Sequence, residues 1–269
     1  MNEVTQPIQD FNPAQRHFEA PAPILPRLAA WFFPPVYTLG LDLSHWNAIA
    51  DFVQIKAAGY EFVILKATEQ TGFIDPTFEP RWKMALDAGL IVGSYHFLRC
   101  NYGGINQADH YLETIRPLLD TSPARLVACD VETTDGMTTQ SRQTCINKWF
   151  GMVKCALGIT PLCYSSPYCW QMITENMTLD CVGWVAHWTP ALAPSWPNGW
   201  PVNKRLFWQY GVYPKHAWVA PVPGVSGECD VNRFYGSLAD LRAFVDIHEL
   251  TTEEQHKILW DAHPELHKP

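Results

Sequence analysis

The chain of 269 residues has no uninterrupted apolar stretch near the ~18 residues that a membrane-spanning helix needs. It is short of positive charge, with 19 Lys and Arg against 27 Asp and Glu for a net charge of −8, and it has no basic patch. General nucleic-acid binding draws its affinity from clustered cations and is excluded on that ground. No Gly-x-Gly-x-x-Gly follows the first strand-like segment, no His-Glu-x-x-His occurs, and Ser44 and Ser94 lack the context of a nucleophile elbow. These absences argue against a dinucleotide site, a zinc hydrolase and a serine hydrolase. The 8 cysteines form no Cys-x-x-Cys pair, and Cys129, Cys145, Cys155 and Cys163 fall inside apparent core segments. Such thiols are small buried hydrophobes, and the chain reads as made in a reducing compartment. Glu3 and Asp10 stand where a signal peptide carries Lys or Arg, and Pro26, Pro34 and Pro35 break the first apolar run. The expectation is a chain made in the cytoplasm without a signal peptide.

What is present is a globular composition, 47% hydrophobic and 17% charged, with 12 Trp, more than core packing usually requires. Excess Trp suggests a surface that stacks on flat ligand faces. The chain is organised around Leu126-Val127-Ala128-Cys129-Asp130-Val131-Glu132, followed by Thr133-Thr134-Asp135-Gly136. The apolar run reads as a buried strand entering a turn. Side chains alternate faces along a strand, so Asp130 and Glu132 point the same way with Cα atoms roughly 6 to 7 Å apart. Two carboxylates on one face repel, which raises the pKa of one and suits it to donate a proton. Taken alone, an Asp-x-Glu is more often a helix cap beside an ion-pair partner.

Residues 1–37 carry seven prolines, Pro7 to Pro35, among polar residues and read as an N-terminal arm. Its aromatic end, Trp31-Phe32-Phe33, could pack on the domain or dock a partner. Residues 38–246 repeat a unit of strand, helix, Gly and strand. Strands are expected at 38–46, 62–68, 90–97, 125–132, 159–165, 181–188, 206–210 and 228–234. Helices are expected at 51–59, 78–88, 104–119 with a stop around Pro117, 139–157 with Thr139 as cap and Gly158 past its end, 167–177 and 238–245. Residues 247–269 read as a short helical tail with Thr251-Thr252-Glu253-Glu254 as its capping sequence.

The expected fold class is α/β, an irregular (β/α) TIM-like barrel of eight strands with helices missing between the last strands. In such barrels reactive groups sit at the C-terminal strand ends, where this chain keeps Asp42, Glu69, His96, Asp130, Glu132, Tyr164, His187, Gln209 and Asp230. That convergence favours the catalytic reading of Asp130 and Glu132 over the cap-and-ion-pair one. Trp188, Trp196, Trp200, Trp208 and Trp218 lie in the helix-poor third, where a groove wall that stacks on flat ligand faces competes with core packing. Trp184 and Trp208 are expected in the core. Tyr95 and Tyr164 lie near strand ends and could hydrogen-bond a ligand or simply pack. His45, His96 and His187 could join Asp42 and Asp230 as metal ligands, but no close His pair is present, so neither a metal nor another cofactor is expected.

The ordered series Gly40-Leu41-Asp42-Leu43-Ser44-His45-Trp46-Asn47, Leu65-Lys66-Ala67-Thr68-Glu69, Phe73-Ile74-Asp75-Pro76-Thr77-Phe78, Gly93-Ser94-Tyr95-His96-Phe97, Asp130-Val131-Glu132, Trp208-Gln209-Tyr210 and Asp230-Val231-Asn232-Arg233-Phe234 resembles glycoside hydrolase family 25, the Chalaropsis-type lysozymes or N-acetylmuramidases. The resemblance spans residues ~38 to 246. It implies a modified barrel that cuts the β-1,4 bond from N-acetylmuramic acid to N-acetylglucosamine in bacterial peptidoglycan. By family position Glu132 is the general acid, Asp130 orients and stabilises the reacting sugar, and Asp42 and Asp230 complete the acidic ring. Tyr95, Tyr164, His96, Trp188, Gln209 and Glu69 are the expected substrate-binding residues. With no signal peptide expected, a phage or prophage lysin is implied, freed by a separate pore or carried on a virion through one of the tails. A glycan-binding structural module is the alternative.

Overall fold

The computed structural model describes residues 36–48, 51–121 and 126–246. The expected arm up to residue 35 and the expected tail helix lie outside the described residues. The elements run β1 (Tyr37–Leu43), α1 (Phe52–Ala57), β2 (Tyr60–Glu69), β3 (Phe73–Ile74), α2 (Phe78–Asp87), β4 (Ile91–Phe97), α3 (Gly104–Leu119), β5 (Val127–Asp130), α4 (Thr139–Leu157), β6 (Leu162–Ser165), α5 (Pro167–Thr174), β7 (Val182–Ala186), β8 (Arg205–Tyr213), β9 (Cys229–Tyr235) and α6 (Leu238–Asp246). Eight strands close in the order β1-β9-β8-β7-β6-β5-β4-β2, with β2 pairing back to β1. The short β3, not foreseen from the sequence, adds to β2 as an antiparallel flap.

Closure follows from composition. The βα units up to β7 carry helices that cover the outside, so neighbouring strands run parallel and both faces are buried. Between β8 and β9, residues 214–228 form no helix. β9 runs antiparallel to both β8 and β1, whereas the β7–β8 connection, which also carries no α-helix, leaves those two strands parallel. The sequence reading placed Asp230 at the C-terminal end of a parallel strand. It lies instead at the N-terminal end of a reversed strand, which brings it to the same rim.

Alternation sorts the strands into two apolar layers. Phe62 and Ile64 on β2, Ala128 on β5, Leu162 on β6, Val182 on β7, Phe207 on β8 and Phe234 on β9 fill the inside of the barrel. Leu241 and Val245 of α6 belong to this inner layer, and the Phe244 ring meets Phe207 and Phe234 at 5.8 and 6.0 Å, so α6 plugs the end away from the strands' C-termini. Their in-between neighbours, among them Leu41, Val63, Cys129, Cys163, Val185, Trp208 and Val231, pack outward against the helices. Burying each large side chain of this kind stabilises the fold by about 1.5–3 kcal/mol. The inner layer is tight enough that a Cβ on Gly40 would fall 2.3 Å from the Phe62 ring.

Local signals set the helix ends. Asp51 caps α1 by accepting from Val53 N and Gln54 N. The α4 cap is Thr138 rather than the expected Thr139, its Oγ1 accepting from Ser141 N at 3.3 Å, while Gly158 ends the helix in the left-handed region at φ 68°. Helix α3 runs two residues past Pro117 to Leu119, where the missing N–H falls in the last turn. None of the described helices is long and apolar enough to cross a membrane.

Candidate active site

The parity that builds the core also places the site. On β5, Ala128 and Asp130 face inward and Cys129 outward; the strand ends at Asp130, but Val131 N still donates to Tyr164 O at 2.9 Å, and Val131 packs in the outer layer. Extended geometry thus continues past the strand, and Asp130 and Glu132 open into one cleft of about 420 Å³. Asp42 and Asp230 line the same cleft.

Asp42 is fixed by two amides: its Oδ2 accepts from Gln209 Nε2 at 2.9 Å and from Asn232 Nδ2 at 2.7 Å. Gln209 Oε1 in turn accepts from the Tyr164 hydroxyl and from Trp188 Nε1, each at 2.8 Å. Asn232 Oδ1 accepts from Trp184 Nε1 at 2.8 Å. Two carboxamides are thereby oriented without ambiguity, each presenting its NH₂ to Asp42 and its oxygen to ring donors. Asp130 Oδ1 is buried and has no hydrogen-bond partner among the described residues. A buried lone carboxyl oxygen costs about 1–3 kcal/mol unless something supplies a donor.

The electrostatics follow from burial of four acids in one place. Burial, with hydrogen bonds from Asn232 and Gln209 pulling the other way, holds Asp42 at about 6. Burial and the charges of Asp42, Glu132 and Glu228 push Asp230 up to about 8, against Lys215. Asp130 is held well above the usual carboxylate range by burial and then by the charge of Glu132, opposed by Lys66. Glu132 is raised by burial and by Asp42. Four acids so arranged cannot all be ionised near neutral pH, so the cleft retains protons there.

Of the expected substrate-binding residues, Tyr95, Tyr164, Trp188 and Gln209 line the cleft. His96 does not. It follows Tyr95 on β4 and so faces out of the barrel, fully buried between Thr68 Oγ1 at 2.7 Å and Gln107 Oε1 at 3.1 Å and stacked on Trp149. Its burial lowers its pKa to about 3 and keeps it neutral. A bulge between Lys66 and Thr68 turns Thr68 outward to meet it. Glu69 lies outside the cleft lining as well: it accepts from Lys66 Nζ at 2.7 Å and pairs with Arg99 at 3.6 Å. Its connection to the cleft is through Lys66, which does line it.

The tryptophan wall is smaller than expected. Trp188, 45% exposed, is the one of the five that lines the cleft. Trp200 is buried against Trp170, Trp208 is buried with its Nε1 on His187 O, Trp196 packs beside Arg205, and Trp218 stacks on His216. Trp184 is both core and cleft floor. Trp46, 82% exposed at the cleft mouth, was missed, as were Lys66, Lys215 and Asn232. A lone Lys inside the apolar run Phe62 to Thr68 and an Asn two residues after Asp230 were the signals for two of them. The three histidines considered for a metal hold other partners: His45 pairs with Asp75 at 2.7 Å, His96 is accounted for above, and His187 Nδ1 accepts from Ser195 N at 2.8 Å. Among the described residues no group of three or more His, Cys, Asp or Glu is arranged to hold a metal ion.

A closed barrel whose mouth gathers four carboxylates between tryptophans has the make-up of a sugar-cleaving enzyme. The chain belongs to glycosyl hydrolases family 25, whose model matches residues 41–215. It is 32% identical over 223 residues to Lysozyme M1 of Streptomyces globisporus, covering 77% of this chain and 71% of that protein. It is 28% identical over 188 residues to the N,O-diacetylmuramidase of Chalaropsis sp, covering 63% and 86%. The bacterial lysozyme from Streptomyces coelicolor superposes with a TM-score of 0.68 at 30% identity, over 78% of this chain and 98% of that one.

Proposed function

We propose that the protein is a peptidoglycan muramidase that hydrolyses the β-1,4 bond between N-acetylmuramic acid and N-acetylglucosamine, with Glu132 as proton donor and Asp130 as its partner. The observation that carries the assignment of roles is the unpartnered Asp130 Oδ1 beside a raised Glu132. An acetamido N–H of the bound sugar supplies the donor that Asp130 lacks. That bond favours the Asp130 anion, leaving the shared proton on Glu132.

In the step that follows, Glu132 gives its proton to the glycosidic oxygen as the C1–O bond breaks and its electron pair passes to that oxygen. The acetamido oxygen, polarised through Asp130, closes on C1. Water then opens this ring, with the Glu132 carboxylate taking the water's proton. Asp42, anchored by Gln209 and Asn232, supplies negative charge opposite the developing cation, while Asp230 beside it keeps its proton. Glu132→Gln protein with an unchanged melting curve is expected to release no new reducing ends from purified walls. Mass spectrometry of wild-type digests is expected to show N-acetylmuramic acid at each new end; N-acetylglucosamine there would overturn the reading.

A further inference from the structure

The Glu132 side chain makes no hydrogen bond to any described residue, so its aim is set by the backbone that carries it. That backbone is held on both sides. Before Glu132, Leu98 N donates to Asp130 O at 3.0 Å, Val131 N donates to Tyr164 O at 2.9 Å, and Val131 O accepts from Ser165 Oγ at 2.7 Å. Beyond it the chain leaves the sheet, and Asp135 ties it back. Asp135 Oδ2 accepts from Cys100 N at 2.7 Å and from Thr133 Oγ1 at 3.0 Å. Its Oδ1 lies 2.9 Å from Arg99 Nε, an ion pair rather than an aligned hydrogen bond. We propose, on the reading of Glu132 as proton donor, that Asp135 is a positioning residue for that acid: it docks the turn after Glu132 onto the Arg99–Cys100 corner and so fixes where the carboxyl points.

An aspartate that merely shapes its own turn bonds backbone groups a residue or two away. Asp135 instead buries its side chain, 2% exposed, against the connection between β4 and α3. The corner that receives it is itself fixed: Arg99 N donates to Gln107 Oε1 at 2.9 Å, Gln107 Nε2 returns to Arg99 O at 2.8 Å, and Gln107 is fully buried on α3. To reach this corner Asp135 adopts φ 48°, in the left-handed region that Asp and Asn tolerate better than most side chains. Position matters because a proton donor works only within hydrogen-bond reach of the oxygen it protonates. A misplacement of about 1 Å can cost on the order of a hundredfold in rate. Loss of the anchor is therefore felt in proton transfer, with the folded cleft otherwise in place.

The test uses two glycosides of N-acetylmuramic acid: glycan strands, whose departing oxygen needs a proton, and the 2,4-dinitrophenyl glycoside, whose leaving group needs none. Asp135→Ala removes both acceptor oxygens. Asp135→Asn suits the same φ and keeps one oxygen for Cys100 N and Thr133, while losing the charge opposite Arg99. In Asp135→Ala the ratio of kcat on glycan to kcat on the dinitrophenyl glycoside is expected to fall about tenfold or more, with KM for glycan within about twofold. In Asp135→Asn the ratio is expected to fall by about threefold, the retained oxygen recovering the rest. Loss of folded protein lowers both rates together and leaves the ratio where it was. A wild-type ratio in Asp135→Asn, with Asp135→Ala likewise unchanged or unable to fold, would overturn the positioning role; a lowered ratio in Glu132→Gln would then leave the acid reading intact. A Glu132→Gln ratio that does not fall would strike the acid reading itself, and the positioning role with it.

Discussion

Asp42 on β1 and Asp230 on β9 are direct partners across an antiparallel pair, at the rim where both line the cleft. Like charges directly opposite each other on a sheet destabilise it. Here the cost is a property of the fold itself, since the reversal of β9 is what brings position 230 to position 42.

Stability should therefore depend on pH in a defined direction. The Asp230 pKa in the folded chain, about 8, lies above the ordinary aspartate value of 3.8, so the folded state holds a proton that the unfolded state has lost between those limits. Its contribution is fully present below pH ~4 and is lost as pH rises through about 8. Asp230→Asn is expected to raise the melting temperature by several degrees at pH 8.5 and to leave it little changed at pH 4. Equal shifts at both pH values would show that repulsion is not the cause.

Gln209 joins Asp42, Tyr164 and Trp188 through one carboxamide. Replacing it with Leu leaves a buried carboxylate short of one donor and two ring donors without acceptors, at a cost of about 1–3 kcal/mol for each buried group left unmatched. Gln209→Leu is expected to lower both denaturant midpoint and kcat/KM, the latter at least about tenfold. Gln209→Glu should also fail, by adding a fifth acid to the cluster. Near-normal turnover in either variant would remove this hub from the account.

Lys66, held by Glu69 at 2.7 Å, is the cation that opposes the raised pKa of Asp130. Lys66→Met takes that opposition away, so Asp130 ionises at higher pH. The acidic limb of the kcat/KM profile is expected to move to higher pH, with the alkaline limb less affected. A limb that stays put, or moves the other way, would mean that Asp130 is not the group ionising there.

His96 gives a control. His96→Ala removes a ring packed on Trp149 and strands the Thr68 and Gln107 partners, so a loss on the order of 2–4 kcal/mol is expected. The KM for wall fragments should stay within about twofold. A large rise in KM at full folding would return this histidine to the substrate.

The fate of His96 also shows what was legible beforehand. Tyr95 and His96 are adjacent on one strand, so period-two alternation forbids both from facing the same cleft, and the sequence alone held that correction. The same alternation did place Asp130 with Glu132 and identifies Asn232 from Asp230. What the sequence could not carry was the direction of β9: neither 187–204 nor 214–228 holds an α-helix, yet β8 runs parallel to β7 and β9 antiparallel to β8. The loop tryptophans were misjudged for a related reason. Trp196 and Trp200 sit in a segment with no periodicity, and whether an indole stacks on a sugar or on Trp170 is decided by tertiary packing.

Bond cleavage turns on Glu132 as the proton donor, and that is tested most directly by comparing wild type with Glu132→Gln on two glycosides of N-acetylmuramic acid: the natural glycan, and the 2,4-dinitrophenyl glycoside, whose leaving group departs without a proton. Loss of general acid catalysis typically costs about 10²–10⁴ in rate. The expected result is a loss of that order on the glycan and a far smaller one on the dinitrophenyl substrate. Equal losses on both, or none on the glycan, would contradict it.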